Sequence, residues 1–353
     1  MRLFVRVALV MACSVSALWL PAAPASAAVH VVQPGQSIQG VINSAQPGDT
    51  IIVRPGVYRE NVHIQKSGIT LRGSGASPSG TILKPPQNPR GPFKANGITI
   101  VGHVDFATGQ IRQRTHDITV KGFLVKGFRD FGVFAFGTDD VRVVNMMTVG
   151  GAEYGVSGFS LHGGVFSHNT TVDAGLAGLY VGDSRRANFL LRENSSTGST
   201  FGILIRNASH GNIVGNTLHG NCVGVLVLGG APGPAAAWRI HGNNVFHNNR
   251  FCSGEGQEQP TSGTGIGIDG ARNNLVRNNT VRDNHASRGN PSTAGGIVVI
   301  TDPQGGPPPV GNRVIGNTAR RNQPFDLRWD GTGTDNHFFG NDCGSSDPGG
   351  LCV

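Results

Sequence analysis

A short asparagine-containing unit recurs along the chain and restricts its possible folds more than any other feature. Most of its copies are followed, about ten residues later, by a glycine that opens a run of alternating apolar residues. The spacings between the repeated asparagines are 24, 25, 22, 28, 35, 38 and 24 residues. A fixed period of this size indicates a stacked repeat architecture. The repeated asparagines are Asn145, Asn169, Asn194, Asn216, Asn244, Asn279, Asn317 and Asn341.

The repeat predicts an all-β fold, a right-handed parallel β-helix solenoid. Short strands separated by Gly and Asn turns cannot bury an apolar face alone, but stacked copies bury a continuous column. Each repeated Asn tolerates a left-handed turn, and its amide can bond to the Asn of the next rung. A β-sandwich would not produce a ladder of Asn, and a leucine-rich solenoid would need a Leu consensus that is missing.

The glycine content agrees with this fold. The chain has 54 glycines in 353 residues, which excludes a protein made of long helices because each interior Gly weakens a helix. In the stacked repeat the glycines lie at turns and at strand starts. One short segment, residues 37–45, has helical spacing of apolar residues after a Ser, and we expect it to form a helix that caps the N-terminal end of the column.

The first 27 residues have the pattern of a secretory signal peptide: a basic start, an apolar run and a small-residue cleavage site. We therefore predict a secreted protein with no membrane segment after cleavage, acting as a monomer. The four remaining cysteines predict two disulfides, Cys222–Cys252 on adjacent rungs and Cys343–Cys352 by proximity. CxxC spacing is absent, so no zinc-type metal site is expected. We expect one domain over residues 28–353: a cap and first rung (28–60), rungs (61–341) and a disulfide-closed end (342–353).

Four segments near the N-terminus carry a family resemblance. Residues 32–39, 47–53, 55–62 and 69–73 are similar to the opening of the right-handed β-helix proteins of the pectin lyase-like superfamily, and the repeats resemble its β-helix repeat over the rest of the mature chain. The resemblance implies a link to polysaccharides, because the superfamily includes lyases, epimerases, glycoside hydrolases, methylesterases and binding proteins. Gly56, Tyr58 and Glu60 resemble a methylesterase box, but that family's later active-site segments are unmatched. We interpret this box as a structural turn.

Insertions into the repeat indicate where a ligand binds. Residues 229–237 and 302–309 directly follow a Gly-start strand, and residues 253–263 and 286–293 directly precede one. All four flank one face, and insertions on one side of a solenoid usually build its binding wall. In the superfamily the corresponding strand floors the saccharide groove. The alternative is that they are tolerated loops with no task.

Strand alternation assigns the residues of that face that point outward. Asp269 stands out among them, since the long insertions flank its strand and Asp302 belongs to the next rung. Such a carboxylate pair suits acid/base catalysis, Ca²⁺ binding to a uronate, or hydrogen bonds to sugar hydroxyls, although Asp after a strand is also a common turn residue. Candidate catalytic residues are Asp269, Asp302, Arg206 and Arg272; candidate substrate-binding residues are Tyr180, Asp183, Phe134, Arg328 and Asp330.

Charge and composition leave two functional hypotheses. The formal net charge of +8, or +6 without Arg2 and Arg6 of the signal, favours an acidic polysaccharide as ligand. The sequence has no run of Lys and Arg with interleaved aromatic residues, which is the pattern that would indicate nucleic-acid binding. The first hypothesis is a lyase, epimerase or hydrolase with a groove over Asp269 and Ca²⁺ as candidate cofactor. The second is a non-catalytic glycan-binding β-helix. The first predicts that both carboxylates and an Arg converge in one cleft. The second predicts a flat strip of exposed Phe134, Phe136, Tyr180, Leu204 and Leu226.

Overall fold

The chain winds into a column of three parallel β-sheets. The computed structural model describes residues 27–105, 107–230, 233–254, 260–288 and 292–352, so that all but the last residue of the predicted signal peptide lies outside the described residues. Each turn of the column contributes one strand to each sheet, and each strand pairs in parallel with the strands of the preceding and following turns. This is the predicted right-handed parallel β-helix.

Strands are numbered in chain order and grouped here by sheet. Sheet A contains β1 (Val29–Val32), β2 (Thr50–Val53), β5 (Thr70–Arg72), β11 (Thr119–Lys121), β14 (Thr138–Val144), β17 (His162–Ser167), β20 (Phe189–Arg192), β23 (Ser209–Val214), β26 (Ala236–His241), β29 (Leu275–Arg277), β32 (Arg313–Ile315) and β35 (His337–Phe339), and β10 (Thr115–His116) pairs with β14. Sheet B contains β3 (Gly56–Arg59), β6 (Thr81–Lys84), β12 (Phe123–Lys126), β15 (Met147–Val149), β18 (Thr170–Val172), β21 (Ser195–Thr197), β24 (Thr217–His219), β27 (Asn244–Phe246), β30 (Thr280–Arg282), β33 (Thr318–Arg320) and β36 (Asp342–Cys343). Sheet C contains β4 (Val62–Ile64), β7 (Ile98–Val101), β13 (Val133–Phe136), β16 (Tyr154–Phe159), β19 (Ala177–Gly182), β22 (Phe201–Arg206), β25 (Val223–Leu228), β28 (Thr264–Asp269), β31 (Gly295–Ile300), β34 (Leu327–Trp329) and β37 (Ser346–Asp347). A separate antiparallel hairpin is formed by β8 (His103–Asp105) and β9 (Gln110–Gln113).

The core of the column consists of aliphatic side chains stacked in register. In sheet C, Ile203 pairs with Val225, which pairs with Ile266, and all three side chains are fully buried. Burying each such side chain contributes about 1.5–3 kcal/mol relative to leaving it in water. Because these residues alternate with outward-facing ones, the register that fixes the core also fixes the composition of the outer surface.

Asparagine ladders run through the interior at the turns, and they correct two predicted positions. Asn194 accepts a hydrogen bond at Oδ1 from the Nδ2 of Asn169 at 3.0 Å, and Asn216 does the same for Asn194 at 2.9 Å. The next members are Asn243, Asn279, Asn317 and Asn341. Asn244 was the wrong choice of two adjacent asparagines, because it belongs to β27. Asn145 was also wrong: it is exposed, and buried Met146 takes the ladder position.

Two further ladders were not anticipated from the sequence. One lies at the turn between sheets B and C, where the Nδ2 of each Asn donates a hydrogen bond to the Oδ1 of the Asn on the next rung. Its members are Asn221, Asn248, Asn284 and Asn322. Asn274, Asn312 and Asn336 form another at the turn between sheets C and A. Each ladder pairs buried amides that would otherwise destabilise the column.

The N-terminal end is covered by helix α1 (Ile38–Ser44), as predicted. The Ser37 hydroxyl accepts a hydrogen bond from the Gly40 N–H, and the Glu60 carboxylate accepts hydrogen bonds from the Ile38 and Gln39 N–H groups. Both interactions satisfy donors that the first helical turn leaves free. Tyr58 is buried and donates to the Arg54 carbonyl. The box around Tyr58 and Glu60 is therefore structural.

Both predicted disulfides form. Cys222 and Cys252 precede strands of adjacent rungs, with a Cα–Cα distance of 6.1 Å, and Cys343 and Cys352 are 5.4 Å apart at the C-terminal end. These separations lie within the range that a disulfide requires. Among the described residues, no helix has the length and apolar character needed to span a membrane.

Candidate active site on the outer face of sheet C

The outer face of sheet C carries two rows of side chains, one residue per rung. The first row runs through Phe134, Ser157, Tyr180, Leu204, Leu226, Gly267, Val298 and Arg328. The second runs through Phe136, Phe159, Gly182, Arg206, Leu228, Asp269 and Ile300. Their outward positions agree with the alternation inferred from the sequence. Adjacent members lie about 4.8 Å apart, which is the spacing of neighbouring strands.

A pocket of about 280 Å³ opens over strands β22, β25 and β28. Its floor is largely apolar, and its walls come from the segments before and after the strands. Three of the four predicted insertions supply wall residues; the described part of residues 229–237 does not. The lining residues are Phe201, Leu204, Arg206, Val223, Leu226, Leu228, Pro260, Thr261, Thr264, Asp269, Thr293, Asp302, Pro303 and Gln304.

Asp269 is the last residue of β28 and is 5% exposed. None of the described residues donates a hydrogen bond to its carboxyl group. Burial raises the pKa of Asp269 well above its usual value, and the charges of Asp302 and Asp330 raise it further. Asp269 therefore keeps its proton at pH values where an ordinary Asp has lost it.

Gly267 makes room for this carboxyl. A Cβ at position 267 would lie 3.0 Å from Cδ1 of Leu226 and 3.3 Å from Oδ1 of Asp269, so a larger residue would crowd the pocket floor.

Asp302 lies just after β31, in the wall opposite the strand starts. It is 9% exposed, and its Oδ1 accepts a hydrogen bond from the Gln304 N–H at 3.0 Å. Asp330 is exposed and lies outside the pocket lining, where it accepts hydrogen bonds from the N–H groups of Thr301 and Thr332. The pocket thus combines a carboxyl group with a raised pKa and a second carboxyl group held by a backbone donor.

The predicted arginines lie in three different environments. Arg206 lines the pocket, is exposed and forms no ion pair with a described residue; it is two rungs from Asp269, or about 10 Å. Arg272 is exposed but does not line the pocket, and its backbone bridges neighbouring turns through Ala235 and Ala237. Arg328 contacts the Ser292 carbonyl, and its Nε lies 3.8 Å from the Asp347 carboxylate.

Aromatic side chains cover the rungs before the pocket. The ring of Tyr180 lies 4.4 Å from that of Tyr154 and 4.7 Å from that of Phe159, and only 3% of Tyr180 is exposed. Burial raises the pKa of the Tyr180 phenol, and the charge of Asp183, which is exposed in a left-handed turn, raises it further. Phe134 is half-buried, 4.9 Å from Phe131 between ring centres.

These positions bear on the two hypotheses. Tyr180, Leu204 and Leu226 are each more than nine-tenths buried, so three of the five members of the predicted strip are not exposed, whereas Phe134 and Phe136 are half-buried. Asp269, Asp302 and Arg206 line the same pocket, as the catalytic hypothesis requires. In the described part of the chain, no group of three or more His, Cys, Asp or Glu residues is placed to hold a metal ion.

Sequence reasoning missed several wall residues: Phe201, Pro260, Thr261, Thr293, Pro303 and Gln304. All but Phe201 lie in the insertions that the long repeat spacings revealed. The wall segments could therefore be identified from the sequence, although the individual side chains that line the pocket could not. Phe201 lies at the start of β22, two residues before the buried Ile203, so strict alternation would have assigned it to the core and could not have found it.

Comparison with known proteins agrees with the fold. The A-module of mannuronan C-5 epimerase AlgE6 of Azotobacter vinelandii superposes with a TM-score of 0.59 at 16% identity, covering 86% of this chain and 88% of that one. An alginate lyase from Paenibacillus sp. str. FPU-7 gives 0.52 at 16% identity, covering 91% and 96%. The Dettilon tailspike protein gives 0.52 at 14% identity, covering 90% and 68%.

Sequence comparison identifies the family. No curated protein sequence matches the chain. A family model described as "Right handed beta helix region" matches residues 131–319, more than half of the chain. The chain belongs to this family of right-handed β-helix proteins.

Proposed function

We propose that the protein is an exported enzyme that cleaves an acidic polysaccharide in the pocket on sheet C, with Asp269 as the proton donor. The observation that carries this proposal is the buried Asp269 carboxyl, whose pKa is raised next to Asp302 in one pocket. Glycoside hydrolysis uses two carboxyl groups, one that donates a proton and one that accepts a proton. Structural similarity to an epimerase and a lyase that are named for uronate polymers supports the substrate class.

The residues of the pocket have separate roles in this proposal. Asp269 gives its proton to the glycosidic oxygen as the bond to the sugar breaks, and Asp302 takes a proton from the attacking water. Arg206 pairs with a carboxylate of the bound sugar two rungs away. Leu204, Leu226 and Leu228 contact the apolar faces of the sugar rings, and the walls reduce access of bulk water.

β-Elimination or epimerisation of a uronate is the second candidate. The observation that favours it is Arg206, which forms no ion pair with a described residue and neutralises the uronate carboxylate while Asp302 removes the proton from C5. In elimination the C4–O bond breaks as the C4=C5 bond forms, and protonated Asp269 gives its proton to the departing oxygen; in epimerisation Asp269 instead gives its proton to the opposite face of C5. Ca²⁺ could assist in that neutralisation, so the assay should be run with added Ca²⁺ and with a chelator.

Three readouts separate these reactions. The mature protein is incubated with polygalacturonate, alginates of different composition and neutral glucans. New reducing ends, ultraviolet absorbance of an unsaturated product and the NMR signature of epimerised residues are then followed. Hydrolysis gives reducing ends without absorbance, elimination gives both, and epimerisation gives neither but changes the NMR spectrum. Absence of any change across the acidic polymers would refute the proposal.

Asp269→Asn tests the proton donor. We expect at least about a 100-fold loss of kcat, because an amide cannot supply the proton. Asp173→Asn is the matched control: Asp173 is exposed, lies in a left-handed turn that Asn also adopts, and does not line the pocket. Undiminished turnover in Asp269→Asn would remove Asp269 from the mechanism.

Export and the monomeric state remain part of the proposal. The two disulfides support export, because such bridges persist in oxidising compartments. Fractionation of the native host and light scattering of the purified protein test these two points.

A further inference from the structure

A second surface, on the outer face of sheet A, carries a regular set of cationic side chains. Arg239 in β26 pairs in register with Leu275, which pairs with Arg313 in β32, so the two arginines are two rungs apart in one row. Arg277 lies in the intervening strand and belongs to the neighbouring row, next to His241 in register. All three arginines are exposed. They therefore place one cation on each of three successive rungs, at a strand spacing of about 4.8 Å.

These arginines lack the acidic partners that other arginines of the chain have. Arg114 is paired with Asp139, and Arg282 and Arg321 are paired with Asp283. Among the described residues, no carboxylate forms an ion pair or hydrogen bond with the guanidinium groups of Arg239, Arg277 and Arg313.

The nearby acidic groups do not neutralise this set. Glu193 is paired with His168 on a preceding rung, and Asp335 is exposed in the turn before β35. The pKa of His241 is lowered by burial, with further contributions from the charges of Arg277 and Arg239. The face therefore has a positive potential before any ligand binds.

A groove of about 620 Å³ crosses the same rungs; Arg239 and Arg313 line it, and Arg277 lies outside its lining. Asn188, His210, Asn212 and Asn273 line it together with Arg239 and Arg313. Amide and imidazole groups can hydrogen-bond to sugar hydroxyls. Trp238 also borders the groove, but it is fully buried and its Nε1 donates to the Ala208 carbonyl, so it offers no ring for stacking.

We propose that the outer face of sheet A is a second, non-catalytic binding surface for an acidic polysaccharide, which runs along the column axis over Arg239, Arg277 and Arg313. A polymer is indicated because the cations repeat with the rungs, and hydroxyl-rich chains fit the Asn and His side chains between them. Single-stranded nucleic acid would need exposed aromatic side chains for its bases, and among the described residues that line the groove only His210 is an exposed ring. The surface lies on a different sheet from Asp269 and does not depend on the reaction proposed there.

The test compares two variants of equal charge. Arg239→Gln, Arg277→Gln and Arg313→Gln are combined in one protein, and Arg54→Gln, Arg59→Gln and Arg90→Gln, which replace exposed arginines elsewhere, are combined in another. Binding of size-fractionated polygalacturonate and alginate to the full mature protein is measured by calorimetry at two salt concentrations. Thermal unfolding of both variants shows whether each remains folded.

We expect the sheet A variant to bind at least about tenfold more weakly than the unaltered protein, and the control variant within about twofold, because only the first removes the aligned cations. The Arg206→Gln variant, which alters the pocket on sheet C, should retain the binding due to sheet A. Equal losses in both triple variants, no loss in either, or no binding of any acidic polysaccharide would overturn the proposal. Tighter binding of single-stranded DNA or polyphosphate with the same arginine dependence would also overturn it.

Discussion

At the residue scale, the buried Asp269 makes a prediction about stability that is independent of any substrate. Its pKa is raised in the folded state, whereas in the unfolded chain it is about 3.9. Above pH 4 the unfolded chain therefore loses this proton while the folded protein keeps it. The contribution of Asp269 to the free energy of unfolding is complete below pH 4 and falls as pH rises through the folded pKa, by at most about 1.4 kcal/mol per pH unit.

The Asp269→Asn variant lacks this pH-dependent loss. We expect the difference in free energy of unfolding between variant and unaltered protein to shift in favour of the variant from pH 4 to pH 8. Denaturant titrations at unit pH intervals measure it, and Asp173→Asn should give a curve parallel to that of the unaltered protein. A difference between Asp269→Asn and the unaltered protein that does not change with pH would contradict the raised pKa.

At the element scale, the asparagine ladder gives a comparison between adjacent residues. Asn243 is 1% exposed; its Oδ1 accepts from the N–H and the Nδ2 of Asn216, and its Nδ2 donates to the Ile213 carbonyl. Asn243→Ala leaves these buried groups without partners, so we expect a loss of about 3 kcal/mol in the free energy of unfolding.

Asn244→Ala is the control for the ladder. Asn244 starts β27, is half-buried and forms no side-chain hydrogen bond with a described residue. We expect a loss of less than about 1 kcal/mol, since its backbone pairing is unchanged. Equal losses for the two alanine variants in a denaturant titration would show that the ladder bonds do not carry the difference.

The same elements show how far sequence could lead. Periodicity was sufficient for the column, the cap helix and the outward rows, because period-2 alternation and a fixed repeat length leave few arrangements that bury the apolar residues. Periodicity could not decide whether Asn243 or Asn244 occupies the ladder position, because the two residues are adjacent and the length of the turn varies between rungs. Arg272 was grouped with Asp269 from sequence proximity, but Gly270 is in a left-handed conformation between them, and Arg272 lies past that turn toward sheet A.

At the scale of the whole molecule, stability is distributed along the column axis. Each strand of the column pairs only with the strands of the preceding and following rungs. Distant rungs therefore affect each other's stability only through the rungs that lie between them. The two disulfides act at different places in this series. Cys222–Cys252 joins adjacent rungs beside the pocket, and Cys343–Cys352 lies at the C-terminal end.

Removing each disulfide should therefore have a local effect. The closed loops span sequence separations of 30 and 9 residues. Chain entropy then gives losses of about 3–4 kcal/mol for Cys222→Ala/Cys252→Ala and about 2–3 kcal/mol for Cys343→Ala/Cys352→Ala. Hydrogen exchange followed by mass spectrometry should show faster exchange around β25 and β28 in the first variant and around β34, β36 and β37 in the second. The strands β2 and β5 at the far end should keep their protection in both. Equal acceleration along the whole column would mean that it unfolds as one cooperative unit, because only then does loosening one end lower the protection of the other.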